Sequence, residues 1–221
     1  MINMGFVGWR GMVGSVLMER LGAEKDFGDF NWCFFSTSQA GQQAPHVSAE
    51  GSVVEDAFNT DRLARMDIIL TCQGGDYTSE IYPKLRENGW QGYWIDAAST
   101  LRMAPDSVIV LDPVNMDIID NALIAGIKNY IGGNCTVSLM LMALGGLFAA
   151  DLIEWMTSTT YQAASGAGAN NMRELVQQMG AIGDHTVSVL DNPSATILDL
   201  DRSVSAALRD PASKLRSTCA F

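Results

Sequence analysis

Met4-Gly5-Phe6-Val7-Gly8-Trp9-Arg10-Gly11-Met12-Val13-Gly14 is the stretch that decides the fold. Met4 to Val7 is short and apolar and runs straight into a glycine turn, as a buried strand does, and Ser15 to Leu21 then reads as a helix. Between them the glycines fall as G-x-x-G-x-x-G, a variant of the dinucleotide fingerprint. Such glycines permit a tight turn and let the N–H groups at the helix start approach a pyrophosphate. The same spacing also closes an ordinary strand-helix turn, so its meaning depends on its flanks.

Downstream, Trp32-Cys33-Phe34-Phe35 reads as a second strand ending in Ser36-Thr37-Ser38. An acidic residue here would bind a ribose 2′-hydroxyl and repel a 2′-phosphate; hydroxyls with Arg10 nearby suit NADP instead. A merely polar strand end would look the same. Asp67 to Asp76 is a strand running into a glycine loop, which places Gln73 at a cofactor cleft, and Thr78 to Asn88 is the helix that follows. Tyr93 to Asp96 and Val108 to Leu111 are further strands, and Arg102 between them reads as an anion ligand or as a solvated loop arginine. Asp112 to Asn115 interrupts the pattern and Met116 to Gly126 reads as a helix. The class is α/β, with a Rossmann-like doubly wound domain over residues 1–133.

Tyr130 to Leu139 (YIGGNCTVSL) opens the remainder. Asn134 is a good N-cap, Thr136 to Leu144 is an apolar helix, and Cys135 therefore stands at a helix start. The helix dipole and unpaired N–H groups there stabilise a thiolate and can hold an oxyanion. A buried structural cysteine in a Met-rich helix is the alternative. Beyond it, Ser158 to Ala164 reads as a strand, Ser165 to Ala169 as a small-residue loop able to approach a cofactor, and Asn170 to Met179 as a helix with His185 after it. Ile197 to Phe221 is polar and weakly patterned, without an evident terminal helix or strand. Residues 134–221 make an incomplete α+β domain, too small to cover Leu139, Met142, Leu147, Phe148 and Trp155.

The net charge of −11 argues against nucleic acid or an anionic membrane as partner. Cysteines 33, 72, 135 and 219 form no metal-ligand spacing and no disulfide framework. No basic leader or membrane-length apolar span is present, so a cytoplasmic protein is expected.

With these residues in view, the chain resembles bacterial aspartate-β-semialdehyde dehydrogenase. The likeness lies in Gly5 to Met18, Phe34 to Gln39, Thr71 to Tyr77, Trp90 to Arg102, Gly132 to Met142 and Tyr161 to Ser165, and runs to about Leu200. The resemblance implies that Arg10, Gly11, Met12, Val13, Thr37, Ser38 and Gln73 bind NADP, with Ser165, Gly166, Ala167, Gly168, Ala169 and Pro193 completing the site. It implies that Arg102 binds the substrate's phosphate, that Gln162 touches substrate, and that Cys135 is the thioester-forming nucleophile. The implied reaction is reductive dephosphorylation of L-4-aspartyl phosphate in lysine, threonine and methionine biosynthesis, by a homodimer. The family's catalytic histidine and carboxylate-binding arginine have no counterpart here; only His46 and His185 are present, neither in the catalytic motif. The expectation is therefore a truncated chain, inactive alone. The other reading is a non-catalytic dinucleotide-binding fragment that associates with full-length subunits. The Gly-Gly-Asn-Cys-Thr-Val-Ser context argues against the glyceraldehyde-phosphate and N-acetylglutamyl-phosphate enzymes.

Overall fold

A computed structural model describes residues 1–48 and 52–210. They form two compact units, Met1–Thr160 and Tyr161–Phe221 as bounded by the whole chain. In the first, β1 (Ile2–Val7) leads into α1 (Met12–Glu24), followed by β2 (Phe30–Ser36), the two-residue β3 (Glu55–Asp56), α2 (Thr60–Leu63), β4 (Ile68–Thr71) and α3 (Gly75–Glu87). Then come β5 (Tyr93–Asp96), β6 (Ser107–Val110), α4 (Asp112–Ile124), β7 (Asn129–Gly132) and α5 (Cys135–Ala149).

All seven strands are parallel, in the order β3-β2-β1-β4-β5-β7-β6. The alternation of side chains along β1 and β2 builds a core on each face. Met4, Phe6, Trp32 and Phe34 pack with Leu17, Met18 and Leu21 of α1. Val7 and Phe35, one residue on, pack with Ile69, Trp94, and Ile81 and Leu85 of α3. Period-two strands whose two faces are both apolar must be covered twice, and this is why the sheet is doubly wound. Each fully buried Phe here contributes roughly 1.5–3 kcal/mol.

β1 lies between β2 and β4, so the chain reverses its direction of travel across the sheet at β1. The ends of β1, β4, β5 and β7 fall in line, since Val7 pairs with Thr71, Thr71 with Asp96 and Asp96 with Ile131. The glycine loop, the Gln73 loop, the Arg102 loop and the Cys135 helix all leave from this one edge.

Four sequence expectations give way. Asp112 to Asn115 opens α4 rather than interrupting it: Pro113 sits in the first turn, where its missing N–H is not needed, and only Asn115 departs from helical geometry. Ser158 to Ala164 forms no strand; a strand needs a ladder partner, and no ladder among the described residues includes this segment. That unit is instead a helical pair, α6 (Ala169–Leu190) packed on α7 (Ile197–Arg209), so His185 stands inside a helix and not after one. α7 was expected to be unpatterned. Its start is a capping box: Thr196 Oγ1 accepts from Asp199 N, and Asp199 Oδ2 accepts from Thr196 N at 2.9 Å. Residues 211–221, including Cys219, lie outside the described residues.

Candidate functional site

A cavity of about 300 Å³ opens between the ends of β1, β2 and β4, lined by Gly8, Trp9, Arg10, Gly11, Phe35 to Gln39, Cys72 and Gln73. Gly8 has φ +76°, and a Cβ there would stand 2.6 Å from the Cys72 carbonyl carbon. A Cβ on Gly14 would stand 2.2 Å from the Gly8 carbonyl oxygen. These two glycines let the β1–α1 turn press against the β4 loop and against its own helix. α1 has no side-chain cap on its N-terminus at Gly11, so the first-turn N–H groups of Met12 and Val13 are left for an anion.

Opposite them, Ser36 Oγ accepts from the N–H groups of Ser38 and Gln39, both at 3.2 Å. Gln73 reaches over the cleft, its Nε2 donating to Thr37 Oγ1 at 3.4 Å. Of the residues expected to hold NADP, the cavity gathers Arg10, Gly11, Thr37, Ser38 and Gln73; Met12 and Val13 follow in α1 as exposed side chains. The sequence reading passed over Trp9, whose ring meets Phe34 edge-on at 5.5 Å and lies 5.8 Å from the Arg10 guanidinium. An aromatic residue inside a glycine loop was the available signal.

Cys135 is the first residue of α5 and is exposed. Asn134 caps the helix by accepting from Val137 N at 3.0 Å, as expected from its position. The sulfur lies 3.9 Å from Thr136 Oγ1. The alternative of a buried structural thiol does not hold, and α5 has no fully buried residue. By contrast, burial pushes the Cys72 thiol up to about 11, aided by the charge of Asp96. Burial, followed by the charge of Glu55, also raises Cys33.

Arg102 is half-buried and is neither solvated nor waiting for an anion alone. Its Nε donates to the Gly132 carbonyl at 2.8 Å and its Nη2 to the Gly133 carbonyl at 3.1 Å. Under this loop Asp96 is 1 % exposed; Thr78 Oγ1 donates to it at 2.6 Å, the Ala98 N–H at 2.7 Å and Trp94 Nε1 at 3.2 Å. Burial nevertheless raises its carboxyl, outweighing these donors.

In the second unit Gln162 is exposed, and a Cβ on Gly166 would come 2.3 Å from its Nε2. Ser165, Gly166 and Ala167 lie in a 3-10 turn, and Gly168, at φ +106°, precedes Ala169 at the start of α6. Pro193 is exposed in the turn after α6. His46 and His185 are both exposed. Among the described residues no group of three or more His, Cys, Asp or Glu could hold a metal ion, and no helix is long and apolar enough to cross a membrane.

An aspartate semialdehyde dehydrogenase from Francisella tularensis superimposes with a TM-score of 0.87 at 52% identity, covering 95% of this chain and 56% of that one. Aspartate semialdehyde dehydrogenase II from Vibrio cholerae, complexed with ASA, gives 0.67 at 25% identity, over 83% of this chain and 53% of its own. An aspartate semialdehyde dehydrogenase with NADP from Candida albicans, at 16% identity, shares the fold, with 0.51 over 69% of this chain and 48% of its own. The chain thus spans about half the length of the solved structures it matches. A model described as "Semialdehyde dehydrogenase, dimerisation domain" matches residues 144–213, which carries the likeness past Leu200, where it was expected to fade. With "Semialdehyde dehydrogenase, NAD binding domain" matching residues 3–122 ahead of it, the chain belongs to the semialdehyde dehydrogenase family.

Proposed function

We propose that these residues carry the N-terminal machinery of an aspartate-semialdehyde dehydrogenase, which converts L-4-aspartyl phosphate reversibly to L-aspartate 4-semialdehyde. The observation that carries the reading is Cys135, exposed on the first turn of a capped helix that starts from the same sheet edge as the glycine-loop cleft. A thiolate there is stabilised by the helix terminus, and the same N–H groups receive the oxyanion when sulfur attacks the acyl phosphate carbonyl. Phosphate leaves and a thioester forms on Cys135. NADPH, when bound, supplies the hydride that reduces this carbon; Cys135 then departs as thiolate and the aldehyde is released.

The cleft fits such a cofactor: the close turn that Gly8 and Gly14 permit sets the uncapped start of α1 at the cavity, Arg10 lines it, and no carboxylate does. Arg10, Gly11, Met12, Val13, Thr37, Ser38 and Gln73 would hold the adenosine and phosphate end, with Ser36-Thr37-Ser38 and Arg10 selecting NADP. Ser165 to Ala169 and Pro193 would complete the site, Gln162 would touch the substrate, and Arg102 would meet the phosphate. We place the functional boundary at 133/134, the nucleotide-binding part before it and the catalytic and dimerisation part after it. Assembly is proposed as a homodimer, in the cytoplasm and within amino-acid biosynthesis.

General acid/base help is worth ~10²–10⁴-fold, and both histidines of the chain are exposed. The 221 residues alone should therefore acylate Cys135 slowly and stoichiometrically rather than turn over. The test supplies aspartate semialdehyde, phosphate and NADP, and follows NADPH together with the mass of the Cys135 peptide. NADPH formation that survives Cys135→Ser overturns the proposal; sustained turnover by the unaltered chain overturns the part concerning the base. Leu139, 69% exposed, and Trp155, 78% exposed, favour the second reading, a non-catalytic nucleotide-binding chain that associates with full-length subunits. That reading expects NADP binding with no adduct on Cys135.

A further inference from the structure

We propose that Arg102 is a positioning residue for Cys135, fixing the peptide planes that lead into its helix. The inference rests on reading Cys135 as the reacting thiol and adds to it how that thiol is held. Register brings the two loops together: Asp96 of β5 pairs with Ile131 of β7, so the chain after Asp96 runs beside the chain after Ile131. A Cβ on Gly132 would lie 3.6 Å from Ala97 Cα. Pairing with β5 ends at Ile131 and pairing with β6 one residue later, at Gly132 opposite Val110; the Gly132 and Gly133 carbonyls take their bonds from one guanidinium.

A peptide unit is planar, so holding the Gly132 carbonyl sets the direction of the Gly133 N–H, and holding the Gly133 carbonyl sets that of Asn134. Two adjacent glycines have the widest freedom of any dipeptide, and nothing in their own side chains limits it. The fork of Arg102 therefore removes motion at the point where the cap and the cysteine are aimed. Asp96 secures the base of the fork, since its Oδ1 accepts from Ala98 N in the loop that carries Arg102. Nη1 meets no acceptor among the described residues, which leaves it for an oxyanion beside the cysteine loop. Anion arrival at Nη1 then draws on the same planar group that holds the two carbonyls, and the state of the loop follows the state of the anion site.

The experiment measures Cys135 alkylation by neutral iodoacetamide against pH in the 221-residue chain and in Arg102→Lys and Arg102→Gln. It is run with inorganic phosphate or with chloride at matched ionic strength, and the Cys33 and Cys72 rates serve as folding controls. Lysine keeps the charge and loses the planar fork. The Cys135 rate should fall about fivefold for each hydrogen bond lost, its pH midpoint should rise, and its response to phosphate should vanish in both variants. A lysine variant that matches the unaltered chain in rate, midpoint and phosphate response overturns the proposal while leaving the thiol reading intact. If Cys135 of the unaltered chain reacts no faster than Cys33 and Cys72, both fall. Should Cys72 become reactive in the variants, the unaltered chain decides. Phosphate must move the Cys135 rate and the amide resonances of Gly133 and Asn134 along one saturation curve; separate curves, or no movement, overturn the coupling.

Discussion

Replacing Gly14 by alanine tests whether the β1–α1 turn is as close as its geometry says. In a free helix the change should stabilise by about 1 kcal/mol, because alanine is the better helix former. Here the new Cβ meets the Gly8 carbonyl oxygen at 2.2 Å, Trp9 Cα at 2.6 Å and the Trp9 carbonyl carbon at 2.8 Å. All three are backbone atoms and cannot turn aside as a side chain would. Three backbone contacts this short put the overpacking cost at the upper end of the usual range, about 3 kcal/mol, so the sign reverses and the net loss is about 2 kcal/mol. Gly11→Ala is the internal control. Its Cβ meets the Gly8 oxygen at 3.4 Å and the Cys72 oxygen at 4.0 Å, both ordinary contacts, and the loss is that of a weaker N-cap, about 1 kcal/mol or less. With a urea slope of about 2 kcal/mol/M, Gly14→Ala lowers the unfolding midpoint by about 1 M and Gly11→Ala by half of that or less. NADP affinity, read by fluorescence titration, should fall in the same order, since the clash displaces the peptides proposed to face the pyrophosphate. Equal midpoints for the two variants would refute the close-turn argument, because composition alone treats the two glycines alike.

Thiol reactivity offers a second check: a thiol moved from 9.0 to about 11 carries about a hundredfold less thiolate at any pH well below both, so Cys72 should label far more slowly than Cys135, and mass spectrometry of the alkylated peptides reads the order. NADP should bind more tightly than NAD, and Ser38→Asp should reverse the preference by placing a carboxylate where the 2′-phosphate is expected; equal affinities in the unaltered chain would remove the basis for the assignment. For Asp96 the folded carboxyl lies above its ordinary 3.8, so the contribution of the neutral form is fully present below that pH and is lost as pH rises through the folded value. The stability of the unaltered chain relative to Asp96→Asn, from urea midpoints across acidic to neutral pH, should therefore decline with rising pH; a rising difference would show that the donors from Thr78, Ala98 and Trp94 outweigh burial.

What could be read from residue order was what neighbouring residues decide among themselves. The β1–α1 turn is set by glycines three apart, the start of α5 by Asn134 three residues before Val137, and both stand where the sequence puts them. The capping box of α7 is equally local. It was missed because its aspartate takes the place of the usual glutamate and because the polar run of Asp199, Asp201, Arg202 and Ser203 hides a stripe of Leu200, Val204 and Ala207 at helical spacing. Ser158 to Tyr161, rich in hydroxyl and β-branched residues, has local strand character, yet a strand is completed only by a neighbour that the segment itself does not specify.

Strand order governs the rest, and it is the least local property of the chain. β7 enters the sheet between β5 and β6, although β6 precedes it in sequence. Had β6 taken the place beside β5, the cysteine loop would have left the sheet at its edge, one strand spacing, about 4.8 Å, farther from the Arg102 loop. Arg102 and Gly132 are thirty positions apart, and their meeting follows from that single insertion. A reading confined to motifs sees a glycine pair, a cysteine and a distant arginine as separate signals. The crossover makes them one unit: the chain places a glycine pair and its capping asparagine before its exposed thiol, and the sheet supplies from another loop the guanidinium that holds the carbonyls of that pair.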